Sequence, residues 1–293
     1  MTAERVAQVR RFNRTVTNRI GVLNDNFLAS NRSLSQNRLL WEVGAEGCDI
    51  RSLRARLDLD SGYLSRLLRS LERDGLLVVE QSRDDGRVRI ARLTAAGLRE
   101  VETLDRRSDE AASAILAPLN DGQRERLVAA MAEVDRLLTA STVEVRECDP
   151  RAPQAQWCLD TYFAELAERF DGGFDPSKKP FGNEDMTPPA GLLLVATLHG
   201  EPVGCGAMTL LPRKVAYIKR MWVARSVRGL GLGRRLLAEL EERARSAGVR
   251  TVQLETKDVL REAISLYASA GYREVAPFND EPYADHWFQK ALG

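Results

Sequence analysis

A chain of 293 residues with 44% hydrophobic and 29% charged residues is expected to form about two domains of ordinary size. No apolar run approaches the roughly 20 residues that a bilayer span requires, and the opening MTAERVAQVRRFNR lacks the apolar core of a signal peptide, so a cytoplasmic protein with no membrane partner is expected. A net charge of +1 excludes a general polyanion sponge, while four scattered cysteines without CxxC spacing and only two histidines argue against disulfides or a bound metal.

In chain order, the first half reads as helices. Val6, Val9, Val16, Ile20, Leu23 and Phe27 recur near helical spacing and predict a helix over 6–27. Further helices are expected over 33–43, 50–57 and 61–74, the last with Ser61 as N-cap and Gly75 as its stop. On that last helix Leu64, Leu67, Leu68 and Leu71 share one face, and Arg66, Arg69 and Arg73 lie opposite, beside Gly62 and Ser65. Two strand-like runs then flank Asp84-Asp85-Gly86, good hairpin-turn chemistry, with Arg83 and Arg87 bracketing the tip. Helical periodicity resumes over 98–116 and 123–138.

The character changes near TASTVEVRECDPRAP, which places a domain boundary at residues 140/141. Beyond it short apolar runs alternate with helices: strands in VEVREC, GLLLVATL, PVGCGAMTLL, AYIKRMWV, TVQLET and HWFQKA, and helices over 154–170, 231–247 and 260–270. That alternation predicts a mixed α/β fold.

Between the fourth of these strands and the next helix stands VARSVRGLGLGRRLL. A phosphate-binding GxxxxGK[ST] loop needs a lysine and hydroxyl that no glycine here precedes. A GxGxxG dinucleotide fingerprint belongs in the first βαβ unit, whereas Gly229, Gly231 and Gly233 follow several strands. What remains is backbone able to approach a ligand and amide N–H groups at a helix N-terminus, an anion site helped by the helix dipole. The bland alternative is a tight turn packed for structural reasons.

Arg228-x-x-Gly231-x-Gly233, with AISLYASAGYREV downstream, resembles the GNAT acyltransferases over residues 143–290. The resemblance implies acetyl-CoA as acyl donor, with its pyrophosphate on the amides of Arg228, Gly229, Leu230, Gly231, Leu232, Gly233 and Arg234. It implies pantetheine along Met221, Trp222 and Val223 at a splayed strand end. Tyr267 matches the tyrosine that protonates the leaving thiolate, and the Val223 amide could polarise the thioester carbonyl. Two departures stand out. Leu260 occupies a position often held by asparagine or glutamine, and VAYIKRMWV carries no carboxylate where a general base is often found. Water, Glu184, Glu281, Asp285 or His286 are the alternatives, and none is singled out. The segments AERFDGGFDP and FNDEPYADHWF could flank an acceptor site.

In the first half, LSQNRLLWEVG…DIRSLRARLDLDSGYLSRLLRSLERDGLL with SRDDGRVRIARLTAAG resembles the winged helix-turn-helix of the MarR family over about residues 1–140. The resemblance implies an all-α unit with a hairpin wing, with Gly62, Ser65, Arg66, Arg69 and Arg73 in the major groove of double-stranded DNA and Arg83 and Arg87 at the minor groove. It also implies a homodimer, formed by the first helix and those after Leu98, reading a pseudo-palindrome. Three readings follow: a DNA-binding regulator joined to an N-acetyltransferase acting on a small amine or peptide; a regulator whose acyl-CoA domain only senses a ligand; and an enzyme that uses the winged helix merely to dimerise.

Overall fold

A computed structural model of the chain describes residues 2–20, 28, 30–82, 86–178 and 181–292. They form two compact units, Met1–Met131 and Ala132–Gly293, with the division inside a long helix.

In the first unit, helix α1 spans Ala3–Arg19 and ends on Ile20. The expected continuation through 21–27 lies outside the described residues. Helix α2 (Leu34–Val43) starts on a reciprocal cap, the Ser33 hydroxyl taking the Gln36 N–H while the Gln36 side chain takes the Ser33 N–H. Strand β1 (Cys48–Asp49) leads into α3 (Ile50–Leu57) and then α4 (Ser61–Arg73). The N-cap of α4 is Asp60 and not Ser61, because the Asp60 carboxylate accepts the Tyr63 N–H at 2.8 Å, leaving Ser61 inside the first turn. Gly75, with φ of 70°, follows as the expected stop.

Strands β2 (Leu77–Gln81) and β3 (Arg89–Leu93) form the hairpin, and β1 adds to β3 in a sheet of order β1-β3-β2. Helices α5 (Ala95–Leu116) and α6 (Asp121–Thr142) complete the series. Leu39, Leu40, Leu53, Leu64, Leu71 and Leu77 are fully buried and form the core of this unit.

The second unit contains β4 (Glu144–Glu147), α7 (Pro153–Arg169), β5 (Gly191–Leu198), β6 (Glu201–Leu211), β7 (Val215–Val223), α8 (Leu232–Ser246), β8 (Thr251–Thr256), α9 (Arg261–Ser269), β9 (Arg273–Val275) and β10 (His286–Ala291). The sheet runs β4-β5-β6-β7-β8-β10-β9, and every neighbouring pair is antiparallel except β7 and β8. Strand β9, three residues at the edge, has too little sequence signal to be expected beforehand. Residues Val203–Thr209 of β6 are buried on both faces, and α7 and α8 both pack on this strand, which explains its unbroken apolar run.

One detail of this sheet sets where a cleft opens in the second unit. The parallel pairing of β7 with β8 covers only Val215–Tyr217 against Thr251–Gln253, although β7 continues to Val223 and β8 to Thr256. Beyond Tyr217 the two strands diverge. In the same stretch β7 carries a bulge opposite Cys205–Ala207, with Arg220 at φ of 57°. Such an irregularity sharpens local twist and turns the strand away from its former line.

Candidate active site and nucleic-acid surface

The gap between β7 and β8 opens into a cleft of about 420 Å³. Its walls come from α7, the end of β7, the glycine loop, the start of α8 and α9. Of the residues expected to hold the acyl donor, Met221, Trp222, Val223, Arg228, Gly229, Gly231, Leu232, Gly233 and Arg234 line it, whereas Leu230 is half-buried against the core.

The three glycines of the loop are not equivalent. Gly229 and Gly231 have φ of 82° and 77°, a left-handed conformation that other residues adopt only under strain, and a Cβ on either would meet nothing. At Gly233 a Cβ would lie 3.4 Å from Leu266, an ordinary van der Waals contact, so the packing of α8 beside α9 does not itself require glycine there. Gly231 caps α8 without a side-chain bond, and the first helical bond is Arg235 N–H to the Gly231 carbonyl at 3.0 Å. The amides of Leu232, Gly233 and Arg234 therefore have no helical acceptor, and they stand at the positive end of the helix dipole.

Strand geometry orients the rest. Ala224 N–H donates to the Val203 carbonyl at 2.9 Å, so the next pair, Gly204 and Val223, falls in the position whose peptide groups point out of the ladder. The Val223 N–H thus faces away from β6, toward the side that β8 has vacated. Trp222, opposite Cys205, turns its peptide groups toward β6 instead. Its indole N–H donates to Glu165 at 3.0 Å.

The arginine side chains of the loop are otherwise engaged. Arg228 donates through Nε to the Val223 carbonyl at 3.0 Å and through Nη2 to both Glu165 oxygens at 2.7 and 2.6 Å. Burial pushes the Glu165 carboxyl up, but the hydrogen bonds from Arg228 and Trp222 outweigh it and hold the group below the usual carboxylate range. Arg169 bridges Glu165 and Glu262, and Arg234 donates to Ser269 Oγ at 2.6 Å. Guanidinium groups shape this cleft, while peptide N–H groups remain for a ligand.

Tyr267 on α9 is buried at the inner end of the cleft, its ring against Tyr272 and Phe288. Burial, with Tyr162 and Glu255 nearby, pushes its phenol well above the ordinary value, so the proton stays on oxygen at neutral pH. Tyr162 on α7 lies beside it, and burial pushes that hydroxyl up to about 12.

Beyond these tyrosines a second cavity of about 60 Å³ adjoins the first, sharing Tyr162, Met221, Leu260 and Tyr267. It holds a buried ionic group that sequence reasoning did not assemble: Lys219 Nζ lies 2.9 Å from Glu281 and 3.5 Å from Glu255. Glu281, one of the sequence alternatives for a base, lines this cavity. Asp285 is bonded to the Asp258 N–H and ion-paired with Lys257. His286 is clamped by Glu274 at 2.7 Å and Asp258 at 3.4 Å, and the Glu274 bond leads in pushing its pKa up. Glu184 opens a short 3-10 turn. The segments around Phe170–Asp175 and Tyr283 do meet: Phe174 and Tyr283 rings lie 4.9 Å apart, and the Tyr283 hydroxyl accepts the Asp175 N–H at 3.0 Å. No group of three or more potential metal ligands occurs among the described residues.

In the first unit, α4 buries Leu64, Leu67, Leu68 and Leu71 and exposes Gly62, Arg66, Arg69 and Arg73, with Ser65 half-exposed. Arg66 rests over the Tyr63 ring at 5.7 Å and Arg73 touches the Ser70 hydroxyl at 3.5 Å; none of the three arginines has an ion pair among the described residues. Other arginines of this unit do pair: Arg32 with Asp74, Arg38 with Glu42, Arg92 with Glu80 and Arg106 with Glu110. Arg87 is exposed at the hairpin tip, and Arg83 lies outside the described residues.

Residues 153–272 match the acetyltransferase (GNAT) family and residues 30–88 match the MarR family. The chain is 40% identical over 91 residues to an IAA acetyltransferase of Azospirillum brasilense, covering 31% of this chain and 58% of that protein. It is 34% identical over 97 residues to an uncharacterized N-acetyltransferase of Schizosaccharomyces pombe, covering 32% of this chain and 60% of that one. The chain thus spans under two thirds of the length of either relative. Among solved structures, an acetyltransferase of the GNAT family from Staphylococcus aureus aligns over 52% of this chain and 99% of its own, at 18% identity and a TM-score of 0.45. No helix among the described residues is long and apolar enough to cross a membrane.

Proposed function

This chain joins a MarR-type segment to a GNAT-type acetyltransferase segment, and from that premise we propose that it is a dimeric DNA-binding regulator that also transfers acetyl from acetyl-CoA to an amine. In this reading residues 1–140 serve DNA and dimerisation, and residues 141–293 serve catalysis. One observation carries the catalytic half: the 420 Å³ cleft has the unbonded amides of α8 at one side and the buried Tyr267 phenol at its inner end.

The residues present fit an acyl-CoA. Left-handed Gly229 and Gly231 and the free N–H groups of Leu232, Gly233 and Arg234 suit a pyrophosphate. Bound there, the thioester supplies an acyl group already activated for transfer. Val223 N–H donates to the acyl oxygen as charge builds on it. The amine nitrogen forms the new N–C bond as the C–S bond breaks, and Tyr267 gives its proton to the departing sulfur. The proton lost from nitrogen passes to a carboxylate of the Lys219–Glu255–Glu281 group, directly or through water.

For the DNA-binding half, support comes from the three α4 arginines, which are exposed and lack ion pairs among the described residues. Dimerisation is supported by the exposed apolar residues Val6, Val9 and Phe12 of α1 and Val128 and Met131 of α6, helices that bury no residue of their own in the monomer.

The test of catalysis is release of CoA thiol from acetyl-CoA over a panel of amines. Tyr267→Phe should lower kcat by about 100-fold while leaving acetyl-CoA affinity within threefold. Tight acetyl-CoA binding with no turnover on any amine would leave a sensor in place of an enzyme.

A further inference from the structure

We propose that the acceptor is a small amino carboxylic acid, its carboxylate held by Arg220 and its amine lying toward Glu255 and Glu281 in the cavity beside Tyr267. This rests on the acyl-transfer reading above and names the substrate class for the same site.

Arg220 is the anomaly that points there. It is 4% exposed, yet no carboxylate lies within 4.0 Å of it among the described residues. Its Nη2 donates to the Phe181 carbonyl at 3.2 Å, and its Nε has no hydrogen-bond partner among the described residues. The guanidinium stacks at 4.6 Å from the Phe163 ring centre and 5.5 Å from that of Phe181. Such stacking offsets only a small part of what burying an ion without a counter-ion costs. An anion placed against Nε would close that gap.

The backbone is bent to bring Arg220 to this place. Consecutive residues of a strand point to opposite faces. Here the bulge, with Arg220 at φ of 57°, lets both Lys219 Nζ and Arg220 Cζ come within 5.5 Å of the same Phe181 ring. A left-handed non-glycine residue is strained, and such strain gathers at sites where a side chain must be aimed.

Charge and size then narrow the ligand. Lys219, Arg220 and Lys257 line the cavity with Glu255 and Glu281; Lys257 is ion-paired with Asp285 outside the lining and Lys219 with both glutamates, which leaves two cations and two carboxylates to balance. A zwitterion leaves that balance undisturbed, with its ends toward opposite charges, whereas a phosphate would add uncompensated negative charge. The volume of about 60 Å³ holds roughly five non-hydrogen atoms at one water-sized site per ~10–15 Å³. That is the size of glycine or alanine. A carboxylate also matches the planar donor fork of an arginine.

The test compares free amino acids with their carboxamides, glycine against glycinamide and alanine against alaninamide, by calorimetry on the full chain with and without CoA. The acids should bind at least tenfold more tightly than the amides. Arg220→Gln should bring acid and amide within threefold of each other while CoA affinity stays unchanged, and Arg220→Lys should recover part of the preference. Equal binding of acid and amide, binding of neither to protein that binds CoA, or a preference that survives Arg220→Gln would overturn the proposal. If Arg220→Gln does not fold, the acid–amide comparison on the wild-type protein decides. Failure to bind CoA at all would strike the acyl-transfer reading instead, and the measurements without CoA would still report on Arg220.

Discussion

The two units use arginine in opposite ways. On α4, Arg66, Arg69 and Arg73 stand exposed without ion pairs among the described residues. In the cleft of the second unit Arg228 and Arg169 converge on one carboxylate, Glu165, and the groups left for an anion are peptide N–H donors fixed by a left-handed loop and a helix end. On the function proposed above, the difference matches the ligand each surface would meet. A duplex is a long polyanion met across solvent, and mobile charges that displace counter-ions serve it well. A single pyrophosphate in a formed cleft is better served by dipoles that need no reordering when it arrives, while side-chain charge is spent on keeping the cleft in shape.

The largest effect should come from breaking the first half of this contrast. If α4 meets phosphates, Arg66→Ala, Arg69→Ala and Arg73→Ala together should flatten the slope of log K against log salt by about three units per subunit. In a salt titration on duplex DNA an unchanged slope would return these arginines to the role of a solvated face.

Next is the cradle. Gly231→Val forces a β-branched residue to φ of 77° at the cap of α8, and about 1.4 kcal/mol of that strain would weaken acetyl-CoA roughly tenfold. Calorimetry giving a dissociation constant equal to wild type would mean the loop is only a turn.

Glu165→Gln should cost about 2 kcal/mol of stability, since it removes the charge that Arg228, Arg169 and the Trp222 indole share. Denaturant unfolding would read that loss. Because Arg228 would be released, acetyl-CoA binding should also become more salt-dependent, bringing the cleft closer to the behaviour of α4.

The smallest effect concerns His286, outside both surfaces. Its pKa is raised in the folded state, first by Glu274 and then by Asp258, so the stability it contributes is present below its unfolded value of about 6.5 and is lost as pH rises through the raised folded value. His286→Gln should remove a shallow decline in Tm across that window, and a decline that persists in the variant would assign it to other groups.

Much of this was legible in the chain. The four leucines of α4 and the arginines opposite them obey helical spacing, and the order of strands in the second unit follows from apolar runs cut by turn residues. The N-cap of α4 was misplaced by one residue, because Asp60 and Ser61 are both competent caps and only the realised bond to Tyr63 separates them. The missing carboxylate is the more instructive case. VAYIKRMWV indeed has none, but Glu255 comes from the neighbouring strand and Glu281 from a loop 62 residues beyond Lys219. No local pattern links residues that far apart.

What the sequence determined by itself is therefore whatever depends on near neighbours along the backbone: the glycine loop and helix that expose amides, the amphipathic α4, the hairpin, and Tyr267 on its helix. Tertiary structure alone decided which of the many acidic and basic residues meet. It tied Arg228 to Glu165 across 63 residues, gathered Lys219, Glu255 and Glu281 into one buried group, and left Arg220 without a counter-ion among the described residues. The reason is physical: backbone conformation is governed by a few adjacent residues, whereas burial and charge pairing depend on how β7 and β8 part, which the packing of the whole sheet sets.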